Sequence, residues 1–154
     1  MLSRTHFVFN LMIFLILIKF NVFALTWITG LICFLATMLP DIDVAGSWIS
    51  KKAEPLSNLL QVFVVHREVF HTLAFALLIG LIVFLISQNW LYAIITASFY
   101  FLHLLLDCTT KSGINLFWPA KSRIKGKIKT GSLTEAILFI IFAFVSIILI
   151  IMII

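Results

Sequence analysis

LTEAILFIIFAFVSIILIIMII, residues 133–154, is the stretch that decides the fold. Apart from Thr134, Glu135 and Ser146 every side chain in it is apolar, and it exceeds the roughly 20 residues an α-helix needs to cross a bilayer. Two further stretches, 69–88 and 90–107, share this character, and Ser87-Gln88-Asn89 makes a polar turn between them. All three are expected to be helical, because a lone strand leaves its backbone N–H and C=O groups unsatisfied in lipid.

Towards the N-terminus the apolar run 7–39 is too long for one span. As a single helix it would reach about 50 Å, against a hydrocarbon core of about 30 Å. Lys19 and Asn21 interrupt it near the middle. The prediction is a helical hairpin over about 6–40 with its tip there, either re-entrant or spanning with local thinning while Lys19 snorkels outward. Both ends of such a hairpin return to the same side. Arg4 followed by 7–18, with Val22-Phe23-Ala24 beyond it, also has the features of a cleaved signal peptide. Lys19, Asn21 and the apolar stretch that follows at once weigh against cleavage.

Composition agrees with a membrane chain. Hydrophobic residues make up 63% and charged residues 11% of the protein, whereas a soluble domain carries about a quarter of its residues charged. The expected fold class is therefore all-α: a polytopic helical membrane protein with about five transmembrane or re-entrant segments in one bundle. The whole chain, 1–154, reads as a single membrane-embedded domain. It has the hairpin 6–40, a loop 41–68, segments 69–88 and 90–107, a basic loop 108–132 and the segment 133–154. Within the first loop, 56–65 is apolar enough to lie along the interface as a short helix.

Charge orients this arrangement. Of the 11 Lys and Arg, all but Lys19 fall at the N-terminus or in the two long loops, and cytoplasmic loops carry the positive excess. The loops and N-terminus are thus placed in the cytoplasm and the C-terminus outside. Lys121, Arg123, Lys125, Lys127 and Lys129 form a run without a negative residue. No nucleic-acid-binding motif accompanies it, so it reads as a loop resting on anionic lipid, and no nucleic-acid partner is expected. Trp118 beside it suits headgroup level. Cys33 and Cys108 are far apart and lack C-x-x-C spacing, so they suggest neither a disulfide framework nor a thiolate metal site.

The polar residues then gather. His6 opens the hairpin, Asp41 and Asp43 follow it, His66 and His71 introduce the third segment, and His103 and Asp107 end the fourth. All four histidines and three of the acidic residues fall on the same predicted side. His103 and Asp107, four apart on a helix, share one face. Asp41 and Asp43 point the same way if the backbone after Pro40 is extended. Taken singly, each has a plain reading as a helix end, a cap or an interface residue. Ionisable groups at the membrane edge are costly, however, and their joint placement points to a metal site. The candidate ligands are His6, Asp41, Asp43, His66, His71, His103 and Asp107. A nitrogen and oxygen set favours zinc, then manganese, with iron a further candidate. Seven candidates exceed what one catalytic zinc takes from protein, which leaves room for one ion or two.

Three motifs carry a resemblance: Leu39-Pro40-Asp41-Ile42-Asp43; His66-Arg67-x-x-x-His71-Thr72; and His103-Leu104-Leu105-Leu106-Asp107-x-x-Thr110-x-x-Gly113-x-x-Leu116-Phe117-Trp118-Pro119. From His6 to about Pro119 the chain resembles the YdjM-type bacterial inner-membrane proteins. Those are described as predicted metal-dependent hydrolases, and are distantly similar to zinc-dependent phospholipase C and related single-strand nucleases. Two positions depart from the pattern: Glu68 stands where glycine is usual, and Phe70 where a smaller polar residue is. The resemblance implies an inner-membrane, metal-dependent hydrolase, a phosphoesterase acting on a lipid or interfacial substrate at the cytoplasmic face. Arg67 would neutralise developing charge or grip a phosphate. Glu68, or an aspartate not engaged with metal, would act as general base; Glu68 is equally read as an extra ligand or an interfering acid. Two other classes stay open: a structural metal tying helix ends together, and a proton or metal transporter. Against transport, the midplane stretches 73–86 and 136–154 carry almost nothing ionisable.

Overall fold

The computed structural model describes residues 1–43, 69–120 and 122–153, with the side chains of Ile42 and Asp43 left out. Five helices stand among them: α1 (Ser3–Lys19), α2 (Trp27–Met38), α3 (Leu73–Ser87), α4 (Trp90–Cys108) and α5 (Leu133–Ile153). A 3-10 turn, Leu39–Asp43, continues α2. No strand occurs among the described residues, only two isolated bridges in the loop after α4.

The predicted hairpin is α1 and α2. Its tip holds Asn21 in the left-handed region at φ 54°, a conformation that asparagine tolerates better than most residues. Thr26 then restarts the chain as the N-cap of α2, accepting from Thr29 N at 3.1 Å. The second turn works the same way. Gln88, at φ 53°, ends α3, and Asn89 caps α4 by accepting from Leu91 N at 2.9 Å.

Length separates the helices. α4 has 19 residues and α5 has 21, and among the described residues these two are long and apolar enough to cross a membrane. α1 has 17 residues, α2 has 12 and α3 has 15; at 1.5 Å per residue α2 is about 18 Å long.

Helix α4 is central: α3 and α2 pack on it, while α5 packs on α1. Phe14, Leu15, Cys33, Ala36, Ile95, Phe99 and Leu149 form the core where α1, α2, α4 and α5 meet. The α3–α4 contact is built from small residues. A Cβ on Gly80 would lie 3.0 Å from that of Ala97 and 3.2 Å from the Ala93 carbonyl, the close approach that lets helices associate without a hydrophobic drive. Outward, α5 exposes Ile137, Ile140, Phe144, Ile147 and Ile151. Because successive helices run antiparallel, the starts of α1, α3 and α5 and the ends of α2 and α4 share one end of the bundle. Trp27 and Trp90, 78% and 67% exposed, start α2 and α4 at the opposite end.

One expectation is corrected. The backbone after Pro40 is a 3-10 turn and not extended, so the argument that Asp41 and Asp43 point the same way does not hold. Proline at the second position of such a turn lacks only an N–H that would go unused there.

Candidate metal centre

Four elements deliver five side chains to one point. His6 lies in the first turn of α1, Asp41 in the 3-10 turn, His71 just before α3, and His103 and Asp107 one helical turn apart on α4. Their exposures run from 0% at His103 to 9% at Asp107. His66, Arg67 and Glu68 lie outside the described residues, and so does the 56–65 segment; Asp43 contributes backbone alone.

Each position has a local cause. Thr72 caps α3, accepting from Phe75 N at 3.1 Å and donating to Val69 O at 2.8 Å. Tyr100 donates to Phe70 O at 2.7 Å, so His71 is held from both sides. Ser3 donates to Asp41 Oδ2 at 2.8 Å. Below the cluster, Asn10 Nδ2 donates to Thr37 Oγ1 at 2.8 Å and to Phe99 O at 3.0 Å, tying α1, α2 and α4 together.

His103 decides what the cluster can hold. Its Nδ1 lies 2.8 Å from Thr37 O. A carbonyl cannot donate, so Nδ1 carries the proton, and the bond also satisfies one of the carbonyls left open at the end of α2. In the neutral ring the lone pair then falls on Nε2, which is buried without a hydrogen-bond partner. It faces Asp41 Oδ1 and Asp107 Oδ2, each at 3.6 Å, and His71 Nε2 stands 3.6 Å from the same Asp107 oxygen. Those separations are too long for hydrogen bonds. They match two ligands of one ion: donors about 2.1 Å from a tetrahedral zinc stand about 3.4 Å apart.

His6 stacks on His103 with ring centroids 3.8 Å apart. Its Nε2 is 3.2 Å from Asp107 Oδ1 but lacks hydrogen-bond geometry, and neither ring nitrogen has a partner. The Met1 ammonium also donates to Asp107 Oδ1. Among the described residues two ligand groups result, His6–His103–Asp107 and Asp41–His71–His103. His103 has one lone pair to give, so it serves one ion at a time.

The chain matches the YdjM inner membrane protein family model over residues 1–154. The chain belongs to that family. Comparison with curated proteins and with solved structures finds no match. Membership makes this an inner-membrane protein, and the family resemblance drawn from the three motifs stands. What the geometry adds to the family name is a buried His and Asp cluster able to hold a metal ion.

Two residues escaped the sequence reading. Glu135, 1% exposed at the start of α5, accepts from Leu2 N at 2.7 Å and Thr5 Oγ1 at 3.0 Å through Oε1, and from Gly131 N at 2.6 Å through Oε2. It clasps the turn that carries His6. Its signal was an acid inside an otherwise apolar span. Arg123 lines the cleft, about 390 Å³ in volume, that opens onto Asp41, His71 and Asp107. Nothing in its spacing set it apart from the lysines beside it.

Proposed function

We propose that this protein is a membrane-embedded, metal-dependent hydrolase, a phosphoesterase whose substrate is a lipid or other interfacial phosphoester. One observation carries the reading: His103 Nε2 is buried against two carboxylates with no hydrogen-bond partner. Acceptors facing each other in a low-dielectric interior need a cation between them. The cleft supports access to it, with a volume of about 390 Å³ inside the range of small-ligand sites.

His71, His103, Asp41 and Asp107 would hold the ion, His6 would be a further ligand, and His66 and Asp43 complete the set read from sequence. When bound, zinc or manganese supplies Lewis acidity, polarising a phosphoryl oxygen and making water a better nucleophile. The protein's part is orientation. Thr37 fixes the His103 tautomer and Ser3 fixes the Asp41 carboxylate, the kind of support that sets ligand basicity. A carboxylate oxygen outside the coordination shell, or Glu68, would take the proton of the attacking water. Arg67 would offset developing charge.

The chain would act as one domain of five membrane-embedded segments, with the site and basic loops cytoplasmic and the C-terminus outside. The skew of Lys and Arg supports this orientation. Exposed Trp27 and Trp90 at the far end suit the opposite headgroup layer.

The test is metal content by elemental mass spectrometry on protein purified in mild detergent, with His71→Ala, Asp107→Ala and His66→Ala alongside, followed by a phosphoester and phospholipid panel. One or two zinc or manganese ions per chain, lost in the variants with any hydrolysis, is the expected result. Wild-type protein still empty after exposure to both metals would sink the reading.

A further inference from the structure

The loop after α4 doubles back in a fixed register. Ile114 and Ile124 exchange both backbone hydrogen bonds, at 3.1 and 2.9 Å, forming an antiparallel bridge. A second clamp joins Lys111 N to Ile128 O at 2.8 Å and Ile128 N to Thr109 O at 3.1 Å. Leu73 N donates to Leu116 O at 2.9 Å, fastening the loop beside the start of α3 and hence beside His71.

Register and the cleft wall together define what the loop presents. Side chains alternate across an extended pair, so the residues flanking a bridge stand opposite each other on the other face. With Ile114 paired to Ile124, those residues are Asn115 with Arg123 and Gly113 with Lys125. Ile114 is buried against Tyr100 and Leu104 and also borders the cleft, and Asn115 and Arg123 line it together with Ser112, Asp41, His71 and Asp107. Among the described residues the lining includes Arg123 but no lysine of the basic run.

A cation cannot be a ligand of the metal it faces. In the cleft wall it can hold an anion presented to the centre, and a guanidinium fork matches a phosphate with two parallel hydrogen bonds where an ammonium offers a point charge. We propose that Arg123, with Asn115 as a neutral donor, forms a phosphate subsite that seats the substrate's phosphoryl group against the metal centre. The proposal rests on the metal-centre reading above. A lipid headgroup and a soluble phosphoester present the same group to it.

Zinc-loaded wild type, Arg123→Ala, Arg123→Lys and Lys125→Ala are titrated by calorimetry with inorganic phosphate and with dihexanoyl phosphatidic acid, and zinc is counted in each. Arg123→Ala is expected to weaken both by about 10- to 100-fold, the loss of one or two charge-assisted hydrogen bonds, with zinc content unchanged. Arg123→Lys recovers part of that loss. Lys125→Ala stays within about twofold, as a screened surface charge does. Tighter binding of the lipid assigns the anion to a headgroup and tighter binding of phosphate to a soluble ester; both support the subsite. Unchanged affinity in zinc-loaded Arg123→Ala, or an equal loss in Lys125→Ala, overturns it. Wild type that holds zinc but binds neither anion overturns the subsite alone, whereas wild type that takes up no metal overturns the metal centre and the subsite together.

Discussion

Replacing Glu135 by alanine should cost both stability and metal affinity, through one clasp. The carboxylate is 1% exposed and receives three donors, Leu2 N at 2.7 Å, Thr5 Oγ1 at 3.0 Å and Gly131 N at 2.6 Å. An unpaired buried donor costs about 1–3 kcal/mol. The Thr5 hydroxyl can rotate towards a helix carbonyl and the exposed Gly131 N–H can turn to water, so Leu2 N–H dominates, and the loss comes to about 1–3 kcal/mol. The functional effect follows from place: Thr5 adjoins His6, and the released turn is the one that stacks His6 on His103. Losing support of this kind lowers metal affinity by about 10- to 100-fold.

The assay is a double-mutant cycle. Zinc affinity by competition with a chromophoric chelator, and thermal unfolding in detergent, are measured for wild type, Glu135→Ala, His6→Ala and the double variant. If Glu135 acts through His6, Glu135→Ala weakens zinc binding in the wild-type background and has little further effect once His6 is gone, while the unfolding penalty persists in both. Glu135→Gln should keep most of the zinc affinity, since its carbonyl can replace Oε1 towards α1, and lose the bond to Gly131. An equal drop in zinc affinity in both backgrounds would refute the reasoning, leaving Glu135 a general staple of the fold.

His103→Ala should lose more metal than His6→Ala, since His103 belongs to both ligand groups and His6 to one; elemental mass spectrometry after identical purification ranks them. The loop should discriminate between its glycines. A Cβ on Gly126 would run into the Thr109 carbonyl, whereas one on Gly131, at φ +76°, meets nothing within 4 Å. Gly126→Ala should therefore lower stability by about 2 kcal/mol or more by displacing backbone, and Gly131→Ala by about 1–2 kcal/mol of left-handed strain, both read by thermal unfolding in detergent.

The hairpin tip and the α3–α4 turn were legible because each is a local event: a polar residue interrupts an apolar run, and Asn21, Gln88 and Asn89 are residues that tolerate or cap such a break. The gathering of His6, Asp41, His71, His103 and Asp107 was legible from parity, since alternating segments return to the same side. The conformation after Pro40 was not, because a proline is compatible with an extended chain and with a 3-10 turn alike. Glu135 was missed for another reason. Its partners Leu2 and Thr5 lie 133 and 130 residues away, and no local pattern encodes a bond across the whole chain. Arg123 differs from Lys125 and Lys127 in bordering the cleft, which an irregular loop does not announce.

The distribution of polar groups along the bundle makes a functional argument in itself. Buried polar groups in an apolar medium each need a partner, and a helical membrane protein meets that need most cheaply by having few of them. Here the middle of the bundle is closed by Phe14, Ile95, Phe99 and Leu149, with Asn10 and Thr37 as its polar crosslink. At the site end, by contrast, His6, His103 and Asp107 are buried together, with both His6 ring nitrogens and His103 Nε2 left without hydrogen-bond partners. A proton path would need ionisable groups continuing across the bundle, and among the described residues the polar groups one helical turn below the site are the neutral Asn10 and Thr37. Acceptors concentrated at one edge, braced by Thr37 and Ser3 and opening on a cleft with an arginine in its wall, make sense if a cation completes them and an anion is brought to that cation from the membrane surface.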